Sequence, residues 1–216
     1  MIDIERQVDL GGPLHSKGVM ILSAFLGEVF GQKNPLALSA SLVFEQSYGG
    51  VDGDSASAAE LLVLLSALSR RPVRQGLAIT GSVNQKGQIQ AIGGVNEKIE
   101  GFFDICRKRG LRGKPGVVIP RANVQHLMLR ADVVAAIRKD SFRIYPIDRI
   151  EDGVALMMGA PAGVPGPDGD FPSGSVYRLV AFRLESFAAS MRRLVLPTPD
   201  GVPRGNGENG GKVAAL

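Results

Sequence analysis

The amino-acid sequence predicts one α/β or α+β domain over residues 17–159. Stretches whose apolar residues recur at helical spacing alternate along the chain with short apolar runs that are typical of strands. Such alternation is the pattern of α/β and α+β domains. Apolar residues make up 44% of the chain, yet no uninterrupted apolar run approaches the roughly 18 residues of a membrane span. The composition therefore favours a globular domain with no membrane segment.

The first half of this domain follows a mixed lead, residues 1–16, which ends in a loop with glycine and proline. Apolar residues at helical spacing then predict an amphipathic helix over 17–31. Apolar side chains that alternate with smaller or polar ones predict a strand from Leu36 to Glu45. A second, strongly apolar helix begins after Ser55, and it is stopped by Arg70-Arg71-Pro72 because proline does not continue a helix.

The second half begins with a predicted hairpin, since the turn residues Asn84 to Gly87 separate two runs of strand-forming residues. A glycine pair, Gly93-Gly94, breaks the second run and precedes a helix that ends at Gly110. The strands of this half are predicted over 77–83, 88–92, 116–120 and 142–146. Its helices are predicted over 95–109, 122–139 and 150–158.

The composition changes after residue 159. Residues 160–175 hold four prolines and four glycines, which is typical of a linker. Helical spacing then predicts a C-terminal helix over 176–196, packed either on this domain or on a neighbouring molecule. Glycine and proline are again dense in residues 197–216, and they predict a disordered tail.

The chain has one cysteine and two histidines, and these small numbers limit the disulfides and metal sites that it can form. The single cysteine, Cys106, permits no internal disulfide and is expected to be a buried, inert thiol. This cysteine usage fits a reducing cytoplasm, and the mixed-charge N-terminus lacks the apolar segment of a signal peptide. We therefore expect a cytoplasmic protein. His15 and His126 lie far apart without cysteine partners, so no metal site is predicted.

A loop rich in glycine and aspartate precedes the second apolar helix. Gly53 allows close approach of backbone, and Ser57 with Glu60 has the spacing of a capping box at the helix start. Free N–H groups and the positive end of the helix dipole favour an anion or oxyanion there. Ser55 is therefore a candidate nucleophile. The alternative is that Asp54 and Ser55 only cap the helix.

A lysine lies at the start of another predicted helix. Lys98 follows Gly93-Gly94 and belongs to the first turn, where the positive end of the helix dipole disfavours a cation. A lysine with the usual pKa of about 10.4 is neutral only about four times in ten thousand at pH 7. A general base needs a pKa near roughly 7–8. Lys98 is therefore a candidate general base for Ser55, unless it points into water as most lysines do.

Three segments, in this order and spacing, resemble the proteolytic domain of Lon peptidases. They are G-D-S-A-S at 53–57, I-T-G-S-V at 79–83 and I-G-G-V-N-E-K at 92–98. The aspartate directly before Ser55 and the segment H-S-K-G-V-M-I-L-S, from His15 to Ser23, are similar to the B-type branch of this family. The resemblance covers about residues 11–159, with the helix over 176–194 as a further part.

The resemblance implies a serine-type endopeptidase built as one domain with mixed sheets and flanking helices. Ser55 and Lys98 would form a Ser–Lys dyad that cleaves peptide bonds of unfolded or damaged proteins. Thr80 would hold Lys98 through its hydroxyl group, which directs the amine without adding a negative charge.

Three residues of the serine loop, Asp54, Asp52 and Gly53, are the supporting candidates that the resemblance adds. A carboxylate next to Lys98 would favour the ammonium form of the lysine. We therefore expect Asp54 to point away or to cap the helix in the active state. An Asp54–Lys98 contact would mark a resting arrangement.

The sequence contains no G-x-x-x-x-G-K-[ST] stretch and hence no phosphate-binding loop. We expect the residues that bind ATP and Mg²⁺ to lie in an AAA+ region upstream of Met1 in a longer parent, or to be absent, and no cofactor to bind this chain. The chain should then hydrolyse short or unfolded peptides without ATP and fail on folded proteins. The resemblance also implies a homo-oligomer, a hexameric ring whose serines face an enclosed chamber.

Other features of the sequence leave three alternative functions open. Residues 53–57 are one residue short of the G-x-S-x-G elbow of esterases, for which His126 would be the base. A surface position is the default for this histidine. The basic run Arg107 to Lys114 would serve a nucleic-acid module, although cations at a helix end are also expected on electrostatic grounds. A catalytically silent scaffold, with the fold retained for ring assembly, is the third alternative.

Overall fold

The computed structural model describes residues 2–3, 11–45 and 49–195, and these residues form a mixture of helices and short strands. The helices are α1 (Pro13–Phe30), α2 (Ser57–Ser69), α3 (Val95–Lys108), a 3-10 helix (Arg121–His126), α4 (Ala131–Arg138), α5 (Ile150–Met158) and α6 (Val176–Val195). The strands are β1 (Ile2–Asp3), β2 (Ser41–Leu42), β3 (Leu77–Ile79), β4 (Ser82–Val83), β5 (Ile89–Gln90), β6 (Gly116–Pro120) and β7 (Arg143–Ile147). The predicted α/β class is confirmed.

The central sheet has three parallel strands in the order β3-β6-β7. Ile79 pairs with Val118, and Val118 pairs on its other side with Tyr145. Helices join these strands because parallel neighbours need long crossover connections. β4 and β5 form a separate antiparallel hairpin, and β1 and β2 form a parallel pair of two residues each. The sheets are therefore mixed, and the central one forms the middle layer of the domain.

Two hydrophobic clusters cover the two faces of the central sheet. Val118 belongs to the larger cluster, whereas Val117 and Ile119 belong to the smaller one, because successive residues of a strand face opposite sides. Helices α1, α2, α5 and α6 supply the larger cluster, and α3 and α4 supply the smaller one. We call them the serine-side core and the lysine-side core after Ser55, before α2, and Lys98, in α3. Fully buried members are Phe25, Leu61, Leu65 and Ile150 of the serine-side core, and Ile99, Ile119, Val133 and Phe142 of the lysine-side core.

Helix α1 begins at Pro13, four residues before the predicted start. Proline is favoured at the first position of a helix because its fixed φ suits the helix and its missing N–H is not needed there. The Asp52 carboxylate accepts a hydrogen bond from the Leu14 N–H at 3.2 Å and caps the helix from a distant loop. A local sequence pattern could not predict this cap, because it lies 38 residues away along the chain.

The strand predicted from Leu36 to Glu45 is wrong for most of its length. Within the described part of the chain, only Ser41 and Leu42 of this segment lie in a strand, paired with β1. The alternating apolar side chains pack against the serine-side core. The alternation therefore reflects an extended segment that buries one side of its chain without pairing along it.

The helix predicted over 122–139 is divided in two. The 3-10 helix is followed by an extended segment, and only then does α4 begin. The Met128 N–H donates to Asn96 Oδ1 at 2.9 Å, and the Arg130 N–H donates to Glu100 Oε1 at 2.8 Å. Side chains of α3 therefore take the hydrogen bonds that would otherwise continue the helix.

The glycine- and proline-rich residues 160–175 are mostly exposed and lead to α6, with Phe171 as their aromatic contact to the domain. The Phe171 ring lies 5.5 Å from the Phe30 ring and 5.6 Å from the Tyr177 ring, measured between centroids. Helix α6 then lies along α2 and contributes to the serine-side core. The C-terminal helix thus packs on its own domain. The tail predicted over 197–216 lies outside the described residues, as does most of the lead before Gly11.

Candidate active site

Ser55 and Lys98 meet beyond the carboxyl ends of the parallel strands. Lys98 Nζ donates a hydrogen bond to Ser55 Oγ at 2.7 Å, although the two residues are 43 positions apart. The helices next to these residues, α2 and α3, cover opposite faces of the central sheet. The two side chains therefore meet past the carboxyl ends of the strands, where the sheet no longer separates them. Thr80, which contacts the Ser55 loop, directly follows β3. Open α/β sheets commonly place their functional sites at this edge.

Ser55 is held by the segment that leaves β3. Its carbonyl oxygen accepts hydrogen bonds from the Gly81 N–H at 2.9 Å and from the Thr80 hydroxyl at 3.3 Å. The Gly81 carbonyl accepts in turn from the Ala58 N–H at 3.1 Å. Gly53 allows the turn before the serine, since its φ of 87° suits glycine. The backbone on both sides of Ser55 is thus tied to the structure around it.

The start of α2 differs from the predicted capping box. Its N-cap residue is Ala56, which has helical backbone angles and no side-chain cap. Ser57 Oγ accepts a hydrogen bond from the Val83 N–H at 3.0 Å, and Glu60 Oε1 lies 3.5 Å from His15 Nδ1. These side chains face β4 and α1 because the helix start is buried between those elements. Ser57 and Glu60 therefore bind neighbouring segments instead of the helix end.

Backbone N–H groups are left over at the start of α2. Neither the Ser55 nor the Ala56 N–H donates a hydrogen bond to another residue of the described part of the chain. Amide groups at a helix start carry positive partial charge and commonly bind anions. The two groups therefore offer donors to an oxyanion next to Ser55 Oγ.

Lys98 lies in the first turn of α3, which the chain enters through Gly94. Gly94 adopts a φ of 66°, a conformation that favours glycine, and its carbonyl accepts from the Lys98 N–H at 3.1 Å. Partial burial lowers the pKa of Lys98, and this effect outweighs the negative charge of Asp54, which raises it. The dipole of α3 also disfavours an ammonium group at this end. The surroundings therefore shift Lys98 toward the neutral amine.

Asp54 is oriented by a buried serine of β4. Ser82 Oγ donates a hydrogen bond to Asp54 Oδ2 at 2.8 Å. The Asp54 carbonyl also accepts from the Ser57 N–H at 3.0 Å, which places the residue at the helix start. The hydrogen-bond partner of Lys98 Nζ is Ser55 and not Asp54. Asp54 thus affects Lys98 through its charge alone, without direct contact.

Thr80 contacts a group other than the expected Lys98, and Asp52 contacts the start of α1. The Thr80 hydroxyl donates to the Ser55 carbonyl and not to Lys98, because the chain leaving β3 runs along the serine loop. The Asp52 carboxylate binds Leu14 at the start of α1 and lies on the outside of the serine loop. Thr80 therefore supports the segment that bears the serine, and Asp52 supports the fold.

Two asparagines that the sequence analysis did not single out hold the start of α3. Asn123, only 2% exposed, accepts from the Ile92 N–H at 3.0 Å and donates to the Ile92 carbonyl at 2.9 Å. Asn96 donates to the His126 carbonyl at 3.1 Å and accepts from the Met128 N–H at 2.9 Å. The position of Asn96 within the glycine-rich segment was an available signal. Nothing in the sequence pairs Asn123 with Ile92.

The other reactive side chains lie apart from this contact. The His126 side chain is exposed, and its residue takes part only through the carbonyl that binds Asn96. Cys106 is half-buried on α3 instead of buried, and partial burial raises the pKa of its thiol. In the described residues, no three histidine, cysteine, aspartate or glutamate side chains come together as a metal site. The described helices also include none that is long and apolar enough to cross a membrane.

The basic run from Arg107 to Lys114 is partly neutralised by carboxylates. Arg107 forms ion pairs with Asp104 of the same helix at 3.2 Å and with Asp132 at 2.8 Å, and the second pair joins α3 to α4. Lys114 pairs with Asp140. These cations therefore have partners within the domain.

Comparison with known proteins identifies the family. The profile of the Lon protease (S16) C-terminal proteolytic domain matches residues 48–159. A putative Lon protease homolog of Escherichia coli K12 is 53% identical over 156 residues, which are 72% of this chain and 27% of that protein. A putative Lon protease homolog of Haemophilus influenzae is 46% identical over 193 residues, 89% of this chain and 32% of that protein. An archaeal Lon protease of Pyrococcus abyssi is 37% identical over 115 residues, 53% of this chain and 10% of that protein.

The chain spans about a third or less of the length of these relatives. The family match covers the serine loop, β3 to β7 and α2 to α5, which together contain both Ser55 and Lys98. The chain therefore belongs to the Lon protease family, and the matched region is the C-terminal proteolytic domain of that family.

Proposed function

We propose that this chain hydrolyses peptide bonds as a serine-type endopeptidase, with Ser55 as nucleophile and Lys98 as general base. The observation that carries the proposal is the 2.7 Å separation between Lys98 Nζ and Ser55 Oγ. A nucleophile and its base must lie within about 2.6–3.2 Å for direct proton transfer. When the amine is neutral, the same separation lets the Ser55 hydroxyl donate its proton to Nζ.

The proposed reaction has two steps with the same base. In the first, Ser55 Oγ loses its proton to Lys98 and attacks the carbonyl carbon of the substrate. The C–N bond then breaks as the lysine ammonium returns this proton to the leaving amine, which leaves an acyl ester on Ser55. In the second step, water attacks this ester while Lys98 takes the water proton, and the proton returns to Oγ as the acid product leaves.

The start of α2 supports this chemistry by its electrostatics. Within the described residues the N–H groups of Ser55 and Ala56 donate no hydrogen bond, so they can bind the oxyanion of the tetrahedral intermediate. Burial and the dipole of α3 both favour the neutral form of Lys98, which is the form that a base requires. Asp54 opposes this effect by its charge, and its hydrogen bond to Ser82 directs the carboxylate to a partner other than Lys98.

The family membership supports a wider proposal about the whole protein. The substrates are unfolded or damaged proteins and peptides, and cleavage of folded proteins depends on ATP and Mg²⁺ bound by an AAA+ region of the parent chain. The working assembly is a hexameric ring in the cytoplasm. The matched region covers a small part of each relative, which supports a parent that carries further domains.

The test is digestion of a fluorogenic peptide and of an unfolded protein, without nucleotide, by wild type, Ser55→Ala and Lys98→Ala. We expect slow cleavage by the wild type and none by Ser55→Ala. Loss of the base should lower the rate by about 10²- to 10⁴-fold. Lys86→Ala is the matched control and should cleave like the wild type, since Lys86 is an exposed residue of the β4–β5 turn that pairs with Glu28 of α1.

Covalent labelling of Ser55 by a serine-directed phosphonate probe separates a protease from a silent scaffold. The protease requires rapid labelling of the wild type that is lost in Lys98→Ala. Equal labelling of both proteins would contradict the proposed dyad. Absent cleavage together with absent labelling in the wild type would favour the scaffold.

A further inference from the structure

A glycine pair is the most adjustable point of the chain that leads to Lys98. Gly93 and Gly94 connect Ile92 to α3, and Gly94 has a positive φ. A Cβ atom added to Gly93 would meet no atom within 4 Å, and one added to Gly94 would meet only the Glu97 side chain. Val95 and Ile99 anchor α3 in the lysine-side core, but no packing fixes the backbone of the glycine pair itself. Lys98 is itself only partly buried, so the packing of its own side chain does not fix it either.

Asn123 fixes the chain on one side of the glycine pair. Its side-chain amide binds both the N–H and the carbonyl of Ile92, at 3.0 and 2.9 Å, as the peptide group of a neighbouring strand would. Asn123 is almost fully buried. Water therefore does not compete for these bonds, and removal of the amide would leave two backbone groups unpaired.

Asn96 fixes the chain on the other side, two residues before Lys98 and in the same first turn of α3. Its amide binds the His126 carbonyl at 3.1 Å and the Met128 N–H at 2.9 Å. The arrangement is reciprocal, because Asn123 reaches from the segment after β6 to the chain before the glycines, and Asn96 reaches back from α3 to that same segment. Four hydrogen bonds thus join residues 92–96 to residues 123–128. We call these two side chains the asparagine staple.

We propose that Asn96 and Asn123 are positioning residues that hold Lys98 Nζ against Ser55. The staple sets the angles of the backbone on both sides of Gly93-Gly94, and so sets where the first turn of α3 projects Lys98. This inference rests on the proposed function. Catalysis depends steeply on such placement, since a displacement of about 1 Å far from the reacting atoms can cost about 10²-fold in rate.

The decisive variant is Asn96→Ala, because Asn96 is only partly buried and its loss leaves both cores intact. We expect kcat to fall by about 10- to 100-fold, with KM within about twofold of the wild type because substrate binding is untouched. Labelling of Ser55 should slow by the same factor as kcat. Asn123→Ala should act in the same direction and also lower the melting temperature.

Asn84→Ala is the matched control. Asn84 accepts hydrogen bonds from the Lys86 and Gln88 N–H groups at 2.9 and 3.0 Å, so its loss also removes two backbone hydrogen bonds. These lie in the β4–β5 turn and do not touch α3. We expect Asn84→Ala to lower the melting temperature while kcat stays at the wild-type value.

The pH profile provides a readout that a purely structural role would not move. A Lys98 amine that is no longer held against Ser55 is more hydrated, so its pKa should return toward the ordinary value of lysine. The rise of kcat with pH should therefore shift to higher pH in Asn96→Ala and remain in place in Asn84→Ala. A folded Asn96→Ala protein with the wild-type kcat and pH profile would contradict the proposal that the asparagine staple positions Lys98.

The Ser55→Ala and Lys98→Ala proteins, assayed alongside, separate this failure from failure of the proposed function. If they lose activity while Asn96→Ala does not, the proposed dyad is supported and the positioning role of the asparagine staple is wrong. If they retain activity, the proposed function fails and the staple fails with it. Should Asn123→Ala not fold, Asn96→Ala alone decides.

Discussion

The serine side and the lysine side of the site are held by different kinds of interaction. Backbone groups of the segment after β3 bind the Ser55 carbonyl and the N–H of Ala58, and α2 buries most of its length in the serine-side core. Lys98 depends also on side-chain amides on both sides of an exposed glycine pair. Helix α3 buries only Val95, Ile99 and Phe103.

This difference indicates which half of the site tolerates substitution. Backbone hydrogen bonds persist when side chains change, whereas a side-chain amide is lost in a single step. The position of the nucleophile should therefore withstand most point substitutions, and the position of the base should be the more fragile of the two.

The largest expected effect comes from truncation of either core. Leu61→Ala on α2 and Ile99→Ala on α3 each remove a fully buried side chain, and each should lower the free energy of unfolding by about 2–5 kcal/mol. Because both cores pack on one sheet, each variant should unfold in a single transition. The measurement is unfolding in urea monitored by circular dichroism.

Exposed positions on the same helices provide the controls. Val63→Ala on α2 and Ile105→Ala on α3 should change the free energy of unfolding by no more than about 0.5 kcal/mol, since these side chains are 55% and 53% exposed. A biphasic transition in either core variant would show that the two sides unfold separately, and the idea of a single unit would be wrong.

A second experiment probes the charge that acts between the two sides. Asp54 raises the pKa of Lys98, so Asp54→Asn should lower this pKa further. Because the base works only when neutral, the rise of kcat/KM with pH should move to lower pH. Asparagine still offers an oxygen to Ser82, which preserves the local hydrogen bond.

The control for this charge is Asp52→Asn in the same loop. Its carboxylate caps α1, and an asparagine can accept the same hydrogen bond, so the pH profile should match that of the wild type. An unchanged profile in Asp54→Asn, or a shift to higher pH, would mean that Asp54 does not act on Lys98 as a charge.

The smallest expected effect comes from Thr80, whose hydroxyl supports the serine side of the site and not the lysine side. Thr80→Val removes the hydroxyl that binds the Ser55 carbonyl, at a cost of about 1 kcal/mol in stability. The pH dependence of kcat/KM should stay in place, because the hydroxyl does not contact Lys98. Thr80→Ser retains the hydroxyl and should behave like the wild type. If the pH profile shifts in Thr80→Val but not in Thr80→Ser, the Thr80 hydroxyl interacts with Lys98 and this prediction is wrong.

The sequence predicts the parts of this molecule that depend on local pattern. The alternation of apolar segments gives the α/β class, and two helix starts with glycine before them lead to Ser55 and Lys98. The capping box at Ser57 is wrong because that side chain binds Val83, a residue brought near only by tertiary structure. The partners of Thr80, Asp52 and Asn123 escape prediction for the same reason, since each contact joins segments between 25 and 38 positions apart.

Ser55 directly precedes α2 and Lys98 lies in α3, and these helices cover opposite faces of one sheet. This placement bears on the life of the chain before folding is complete. A chain that has assembled only one layer holds the hydroxyl and the amine apart, so it lacks the means to cut its neighbours during synthesis. Under the proposed function, hydrolytic competence is a late event of maturation, and no inhibitory segment is needed to delay it.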